Sequence, residues 1–434
     1  MRLLSLAVAA ALCLGPLLTA AHPAPLSTLS PAETADAARV LLLTGHPVPA
    51  VTILAEAIER HPRDPELWFL RGLALRAAGD LDNAVVSLRR AWELAPAHTR
   101  PLLEAAAILV QQGEYDEAYS TFAEALTITT DRIVRRTIRR HMEALLPLKT
   151  FTYGFGLRIQ PDQNPGAASG RRTVTISGLD FDLDRTQRTR SGLGVGGDAV
   201  VRYAPSVTAS TRVVADAALS GLHFFGDCCD DYQLTTAAGP GWFSGRDSVV
   251  LQAFVRHRSY DQQPYSIERG FRLEVGRSEG SYAIRVGGEY GQARLIALDV
   301  PGDVKRGFVS FDTPVTGTFS VGGTARLEHA QYEVAAQAYR AASLELWLGF
   351  DGPWAFPMRI TGMALRRAFD APSVSSDGNR VDRAWAASAS ILVDTISIWG
   401  ASPIVGVSYQ RQISNEALAE YSRASLILGL SRFF

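Results

Sequence analysis

The run from Tyr421 to Phe434 alternates with period two, and this limits the fold more than any other stretch. Ala424, Leu426, Leu428, Leu430 and Phe434 share one face, with Arg432 the only polar break in that row. Arg423, Ser425, Gly429 and Ser431 share the other, with Ile427 and Phe433 among them. Successive side chains of a strand point to opposite sides, so one face is apolar and one is wet. Such a strand, closing on an aromatic residue, is the expected last strand of an outer-membrane type β-barrel. Arg432 lies near enough to the end for its stem to carry the charge to the headgroups.

The 434-residue chain has room for two domains. A net charge of −1 and 47% hydrophobic residues speak against disorder and nucleic-acid binding. The 37 glycines suit a barrel, where small residues line the lumen and permit bends. Lysine occurs only at Lys149 and Lys305. At the N-terminus Arg2 precedes an apolar run, and Thr19, Ala20 and Ala21 offer a cleavage site. This predicts a signal peptide over residues 1–21. Leu12 stands where a lipidated Cys13 needs a small residue, so plain cleavage is expected. No later segment reaches the roughly 18 apolar residues of a membrane helix, so any crossing must use strands. The remaining cysteines, Cys228 and Cys229, are adjacent among Asp227, Asp230 and Asp231, as a loop with or without a vicinal disulfide.

A 34-residue repeat runs through the first third of the chain. Gly45, Gly79 and Gly113 are one period apart, as are Ala50, Ala84 and Ala118; Leu54, Leu88 and Phe122; and Ala57, Ala91 and Ala125. Pro62 and Pro96 close the first two units, and Trp68, Gly72 and Leu75 complete the middle one. The pattern resembles the tetratricopeptide repeat, in which each unit is a helical hairpin. Its residues pack the hairpins; the stack they build usually binds peptide or protein segments. Arg132, Arg135, Arg136, Arg139 and Arg140 then fall at helical spacings, with Ile133, Ile138, Met142 and Leu145 as candidates for the packed side. This predicts a basic capping helix, stopped by Pro147. Residues 22–148 are expected to form a periplasmic domain of three repeats plus that helix.

From residue 149 onward the period is two, predicting a transmembrane antiparallel barrel over 149–434 and an α + β two-domain chain. Leu193, Val195, Ala199, Val201 and Tyr203 oppose Gly194, Gly196, Asp198 and Arg202. Val207, Ala209, Val213, Ala215 and Leu219 oppose Ser206, Ser210, Arg212 and Asp216. Phe271, Leu273 and Val275 oppose Glu268, Arg272 and Glu274; Leu344, Leu346, Leu348 and Phe350 oppose Ser343, Glu345 and Gly349, with Trp347 on the polar side. A soluble sandwich gives the same alternation. Strands near the ~9–11 residues of a tilted membrane strand, and aromatic residues near their ends, favour the barrel. Fifteen candidate starts appear, of which one near Thr173 or Phe308 is surplus, giving about fourteen strands. An even number returns both chain ends to one side.

Several segments resemble the surface lipoprotein assembly modulator (Slam) family, the outer-membrane component of type XI secretion. PDQNPGAAS carries Asn164 at the family's turn after its first strand, although Pro165 and Gly166 replace a second asparagine pattern. DDYQLTTAAGPGW, from Asp230 to Trp242, is similar to a family strand ending in Gly-Pro. In the closing region Gly400, Pro403, Ser414, Asn415, Tyr421, Arg423 and Phe434 fall where the family has a Gly-x-x-Pro turn, a Ser-Asn pair and a Tyr-x-Arg strand start. The repeat domain is short for the family. The resemblance implies an outer-membrane translocon with its repeat domain in the periplasm, no cofactor, and these partners: a periplasmic client (lipoprotein or soluble), outer-membrane lipid and the barrel assembly machinery. A tetratricopeptide–barrel polysaccharide exporter or a passive porin-like channel are the alternatives. No histidine, including His223 and His257, lies in a nucleophile-elbow or metal-ligand spacing, so no enzyme is expected.

Overall fold

A computed structural model describes residues 29–146, 148–176, 179–184, 188–226, 229–279, 282–316, 319–352, 356–373, 378–393, 395–396, 398 and 401–433. The expected leader, Pro147, Cys228, Gly400 and Phe434 lie outside these. The chain forms two compact units, Met1–Lys149 and Thr150–Phe434.

The first unit contains α1 (Pro31–Leu43), α2 (Pro47–Arg60), α3 (Pro65–Ala78), α4 (Leu81–Leu94), α5 (Arg100–Gln112), α6 (Tyr115–Ile128) and α7 (Arg132–Leu145). Proline opens α1, α2 and α3, where its missing N–H costs no intrahelical bond. Ser30 and Glu33 cap each other reciprocally, and the backbone N–H of Ser30 holds the Glu33 carboxyl below its ordinary range. Gly45, Gly79 and Gly113 take φ of +80°, +87° and +83°, ending the first helix of each hairpin in the left-handed region. Ala50, Leu54 and Ala57 are buried in one cluster with Leu67; Ala84, Leu88, Ala91, Ala118, Phe122 and Ala125 are buried in a second. Gly72 allows α3 and α4 to meet, since a Cβ there would lie 2.5 Å from Leu88 Cγ. Trp68 is half-buried and donates its indole N–H to the carbonyl of Pro62 at 2.9 Å; Pro96 is exposed in the turn after α4.

On α7, Ile138 and Leu145 are buried and Met142 packs beside them. Ile133, expected on that side, is exposed instead. The inward stripe is Val134, Ile138, Met142 and Leu145, and Ile133 is one residue, about 100°, off it. Arg135 is not on an open basic face: its guanidinium donates to the carbonyls of Leu126 (2.8 Å) and Thr129 (3.0 Å) at the end of α6.

The second unit contains β1 (Phe151–Asp162), β2 (Thr173–Ile176), β3 (Leu179–Asp182), β4 (Gly192–Tyr203), β5 (Thr211–Phe224), β6 (Asp231–Ser244), β7 (Asp247–Tyr260), β8 (Gln263–Glu279), β9 (Tyr282–Leu295), β10 (Val300–Thr316), β11 (Phe319–Tyr332), β12 (Tyr339–Asp351), β13 (Pro357–Pro372), β14 (Asn379–Leu392), β15 (Ser402–Ser414) and β16 (Tyr421–Phe433). Fourteen of these, β1 and β4–β16, close an antiparallel barrel in which β1 pairs with both β4 and β16. The candidate near Thr173 is β2, which pairs only with β3 in a small hairpin inside the β1–β4 connection. The candidate near Phe308 is a full barrel strand, β10, which begins earlier, at Val300. Val207 and Ala209, expected on a strand face, belong to the β4–β5 turn, where the Thr208 hydroxyl accepts from the N–H of Thr211 at 3.1 Å.

Apolar side chains point outward along the wall. Leu157, Ile159, Val195, Leu219, Leu273, Val286, Leu344, Leu346 and Val407 are all exposed. Outward aromatic residues gather near the end where β1 begins, at Phe151, Tyr153, Tyr203, Trp242 and Phe319, and again in the far half at Tyr232, Tyr290, Trp385 and Tyr409. An apolar band between two aromatic girdles is the outside of a membrane barrel. Among the described residues no helix is long and apolar enough to cross a membrane.

Candidate functional site in the barrel lumen

Because the pleat alternates, the same strands that face hydrocarbon turn their polar residues inward. On β8 the exposed Phe271 and Leu273 alternate with buried Glu268 and half-buried Arg272. These inward charges are fixed by partners on neighbouring strands. Arg306 on β10 reaches Glu268 at 2.6 Å, Glu328 on β11 at 2.7 Å and Glu289 on β9 at 3.4 Å. Arg256 on β7 binds Glu268 at 3.0 Å and Glu289 at 3.2 Å. Tyr339 on β12 donates its hydroxyl to Glu328, and the Arg367 guanidinium lies 4.7 Å over the Tyr339 ring. A second lattice joins Asp216, Arg272 and Gln252: each pair meets at 2.8 Å, and the Gln252 amide also donates to the Val214 carbonyl. Arg359 stacks 4.2 Å over Trp347, which Gly322 admits, since a Cβ there would lie 2.5 Å from the indole. Each guanidinium is a rigid fork of donors, suited to carboxylates from several strands at once.

A third cluster closes the barrel near the far end of β1. Asp162 accepts from Arg423 Nε at 2.7 Å, from the Gln160 amide at 3.1 Å and from the backbone of Asn164 at 2.8 Å. Asn164, fully buried, donates to the carbonyls of Ala168 (2.8 Å) and Ser422 (3.0 Å) and accepts from the N–H of Ala168. Asp382 takes Arg380 at 2.9 Å and the Ser414 hydroxyl at 2.7 Å, and Asn415 accepts from the N–H of Val381 and donates to the carbonyl of Asn379. Tyr421 accepts from the Gln410 amide at 2.8 Å. Asn164, Ser414, Asn415, Tyr421 and Arg423 thus tie β14, β15, β16 and β1 together at one end. Pro403 is not among them: it lies inside β15, paired with Leu430.

The carboxylates that complete these clusters, Asp162 and Asp382, were not singled out in the sequence. Both sit on the inward parity of their strands, which is the one signal that could have found them. His223 faces outward, 2.8 Å from Asp230, and His257 also takes the outward parity of its strand. Cys229 is disulfide-bonded, and its backbone N–H donates to Asp261 at 3.0 Å. Among the described residues no group of histidine, cysteine or carboxylate side chains has the arrangement of a metal site. In the helical unit, Arg39 binds Glu66 and Arg76 binds Glu104, both at 2.8 Å, linking α1 to α3 and α3 to α5, and Arg100 lies 5.0 Å over Phe69.

Comparison with known proteins places both units. The family model described as surface lipoprotein assembly modifier matches residues 213–434, just over half of the chain, and a tetratricopeptide repeat model matches residues 75–135. No curated protein matches. Among solved structures, the type III secretion translocator chaperone SycD of Yersinia enterocolitica is 19% identical over 26% of this chain and 81% of its own, with a TM-score of 0.25. The TPR2B domain of yeast Sti1 in its pHsp70 complex is 22% identical over 27% and 98%, with a TM-score of 0.25. MamA is 15% identical over 27% and 77%, with a TM-score of 0.23. The family matched is one of assembly factors rather than enzymes. With a closed fourteen-strand barrel behind tetratricopeptide hairpins, this chain belongs to the surface lipoprotein assembly modifier family.

Proposed function

We propose that this protein moves a client protein across the outer membrane, holding it first with the helical unit and then passing it through or along the barrel. In this reading residues 1–21 are removed, residues 22–148 stand in the periplasm, and residues 149–434 span the membrane. The match of residues 213–434 to the surface lipoprotein assembly modifiers carries the reading. The lumen supports it. Its charges of both signs are locked into lattices, so the wall offers fixed dipoles and water to a polypeptide without a net field that would hold one sign of charge. The first helices of the hairpins offer a face of paired Arg and Glu, suited to an extended segment of a client. The reaction is transport, without a catalytic residue or cofactor.

The test is to produce this chain together with an epitope-tagged lipoprotein from the same genome and to measure protease access to that lipoprotein on intact cells. Removing residues 22–148 should leave a heat-modifiable barrel in the outer membrane and lower surface delivery at least tenfold. Delivery unchanged by that deletion refutes capture by the helical unit. A large, steady conductance with no delivery at all would favour a passive channel.

A further inference from the structure

The wall of the barrel is interrupted where its first and last strands meet. From Gly154↔Phe433 to Ile159↔Leu428 the pairing of β1 with β16 is continuous, and the next pair is Asp162↔Ser425. Gln160 and Pro161 keep their partners on β4, Gly194 and Leu193, and Leu426 and Ile427 keep theirs on β15. The register is the same on both sides of the gap, so no bulge causes it. Pro161 does: it has no N–H to give to β16. At the gap lies an open cavity of about 650 Å³. Its lining includes Leu193, Val407 and Leu426 from the outward, apolar row and Gly192, Ser408 and Ser425 from the inward row. This one shallow, open hollow is bordered by residues of both rows.

The rest of the seam is fastened. Beyond the gap, the Asp162–Arg423 pair, the Asn164 amide on Ser422, the Ser169 hydroxyl on the Ala417 carbonyl (2.9 Å) and Arg171 on Glu420 (2.8 Å) form a polar clasp. Before it run six uninterrupted pairs. The ladder between β6 and β7 also skips, at Gly239 and Pro240. There the opposing Gln252 is buried and bonded to Val214, Asp216 and Arg272, which fills the inner side. At the β1–β16 gap the inward Gln160 is also buried, but its amide turns to Asp162 at 3.1 Å, and the cavity beside it is lined instead by the small Ser408 and Ser425, whose hydroxyls meet at 2.7 Å.

We propose that this gap is a lateral exit for the acyl chains of a lipid-modified client. It rests on the translocation reading and adds a route to it. Polypeptide can follow a lumen walled by Arg and Glu, but hydrocarbon cannot without being held in water beside charges. A gap with an apolar outer lip and a polar inner lip of Ser408, Ser425 and the Asp162 carboxylate lets acyl chains lie in the membrane while the attached polypeptide stays in the polar interior. Pro161 keeps the gap unzipped, and the clasp keeps the barrel from parting at its end.

The experiment locks the seam in the assembled protein. Gln160→Cys with Ile427→Cys places two thiols at opposed inward positions across the gap; Ser343→Cys with Leu365→Cys is the same lock between β12 and β13, a pair in register. Surface delivery is followed for the same epitope-tagged lipoprotein and for its variant lacking the acylated cysteine. Reductant-treated wild type controls for the native disulfide at Cys229. Oxidising the seam lock should cut delivery of the acylated form at least tenfold, reversibly, and leave the soluble form and the β12–β13 lock near wild type. Delivery of the acylated form through an oxidised seam, or an equal fall in both forms, overturns the lateral exit while leaving translocation intact. Wild type that delivers neither form overturns translocation, and the exit with it. A photo-crosslinking residue in place of Leu426 should give an adduct of the combined mass of this chain and the acylated client. Adducts with membrane phospholipid alone would assign the gap to bulk lipid and overturn the proposal.

Discussion

The two units are inside-out versions of each other. In the helical unit Ala50, Leu54, Ala84 and Leu88 are fully buried and charges lie at the surface. In the barrel Leu344, Leu346 and Phe271 lie on the outside, while Asp162, Glu268 and Asp382 are among the most buried groups. One unit is held by apolar matter removed from water, the other by ladder hydrogen bonds and ion pairs wrapped in apolar matter. The same type of substitution should therefore act with opposite weight in the two.

The largest effect belongs to the lumenal lattice. Arg306→Ala removes one cation from three carboxylates, of which Glu268 and Glu289 are nearly inaccessible. Breaking a buried pair from one side costs about 3–5 kcal/mol because a charge is left unmatched. Urea unfolding of the detergent-folded barrel should move by that amount, and the Glu268→Gln, Arg306→Met double variant should recover part of it. A double variant no better than Arg306→Ala would mean the lattice contributes by packing instead. In the helical unit the corresponding dry-core change, Leu88→Ala, should cost about 2–5 kcal/mol, through lost burial and a cavity against Gly72. Circular dichroism at 222 nm during denaturation checks it.

A matched pair of arginines sharpens the contrast. Leu344→Arg, outward in the middle of β12, should cost about 2–4 kcal/mol in lipid. Val86→Arg, also exposed but on α4, should stay within about 0.5 kcal/mol. Equal penalties would mean that the apolar face of the second unit does not meet hydrocarbon.

Much of this division was legible in the sequence because both signals are periodic. Glycines 34 residues apart end the first helix of each hairpin, and alternation separates Phe271 and Leu273 from Glu268 and Arg272. Parity says which face a residue takes but not which neighbour it meets. Arg306 finds Glu268 38 residues away, and Arg423 finds Asp162 261 residues away, through a register set by the closed ladder. Alternation also could not separate a membrane strand from a short hairpin such as β2–β3, which has the same period over four residues. The turn at Thr208 was missed for a related reason: Val207 and Ala209 continue the apolar parity of β5 through a tight turn, in which the N–H groups of Val207 and Thr208 fold back on the Thr211 carbonyl and the Thr208 hydroxyl accepts from the N–H of Thr211.

The smallest effect concerns ends, which helices have and a closed barrel lacks. Asp64 caps α3 by accepting from the N–H groups of Glu66 at 2.9 Å and Leu67 at 3.3 Å. Asp64→Ala should cost about 1 kcal/mol and Asp64→Asn much less, since an amide oxygen still accepts. Barrel strands take their backbone partners from neighbouring strands, and at Pro161 the ladder to β16 lacks one donor. At Pro161 restoring the N–H is the equivalent of adding a cap. Pro161→Val should stabilise the barrel by about 1 kcal/mol, the net worth of one hydrogen bond, read as a higher urea midpoint in detergent. A lower midpoint would mean that the proline is fitted to β1 for its fixed φ rather than for the donor it withholds.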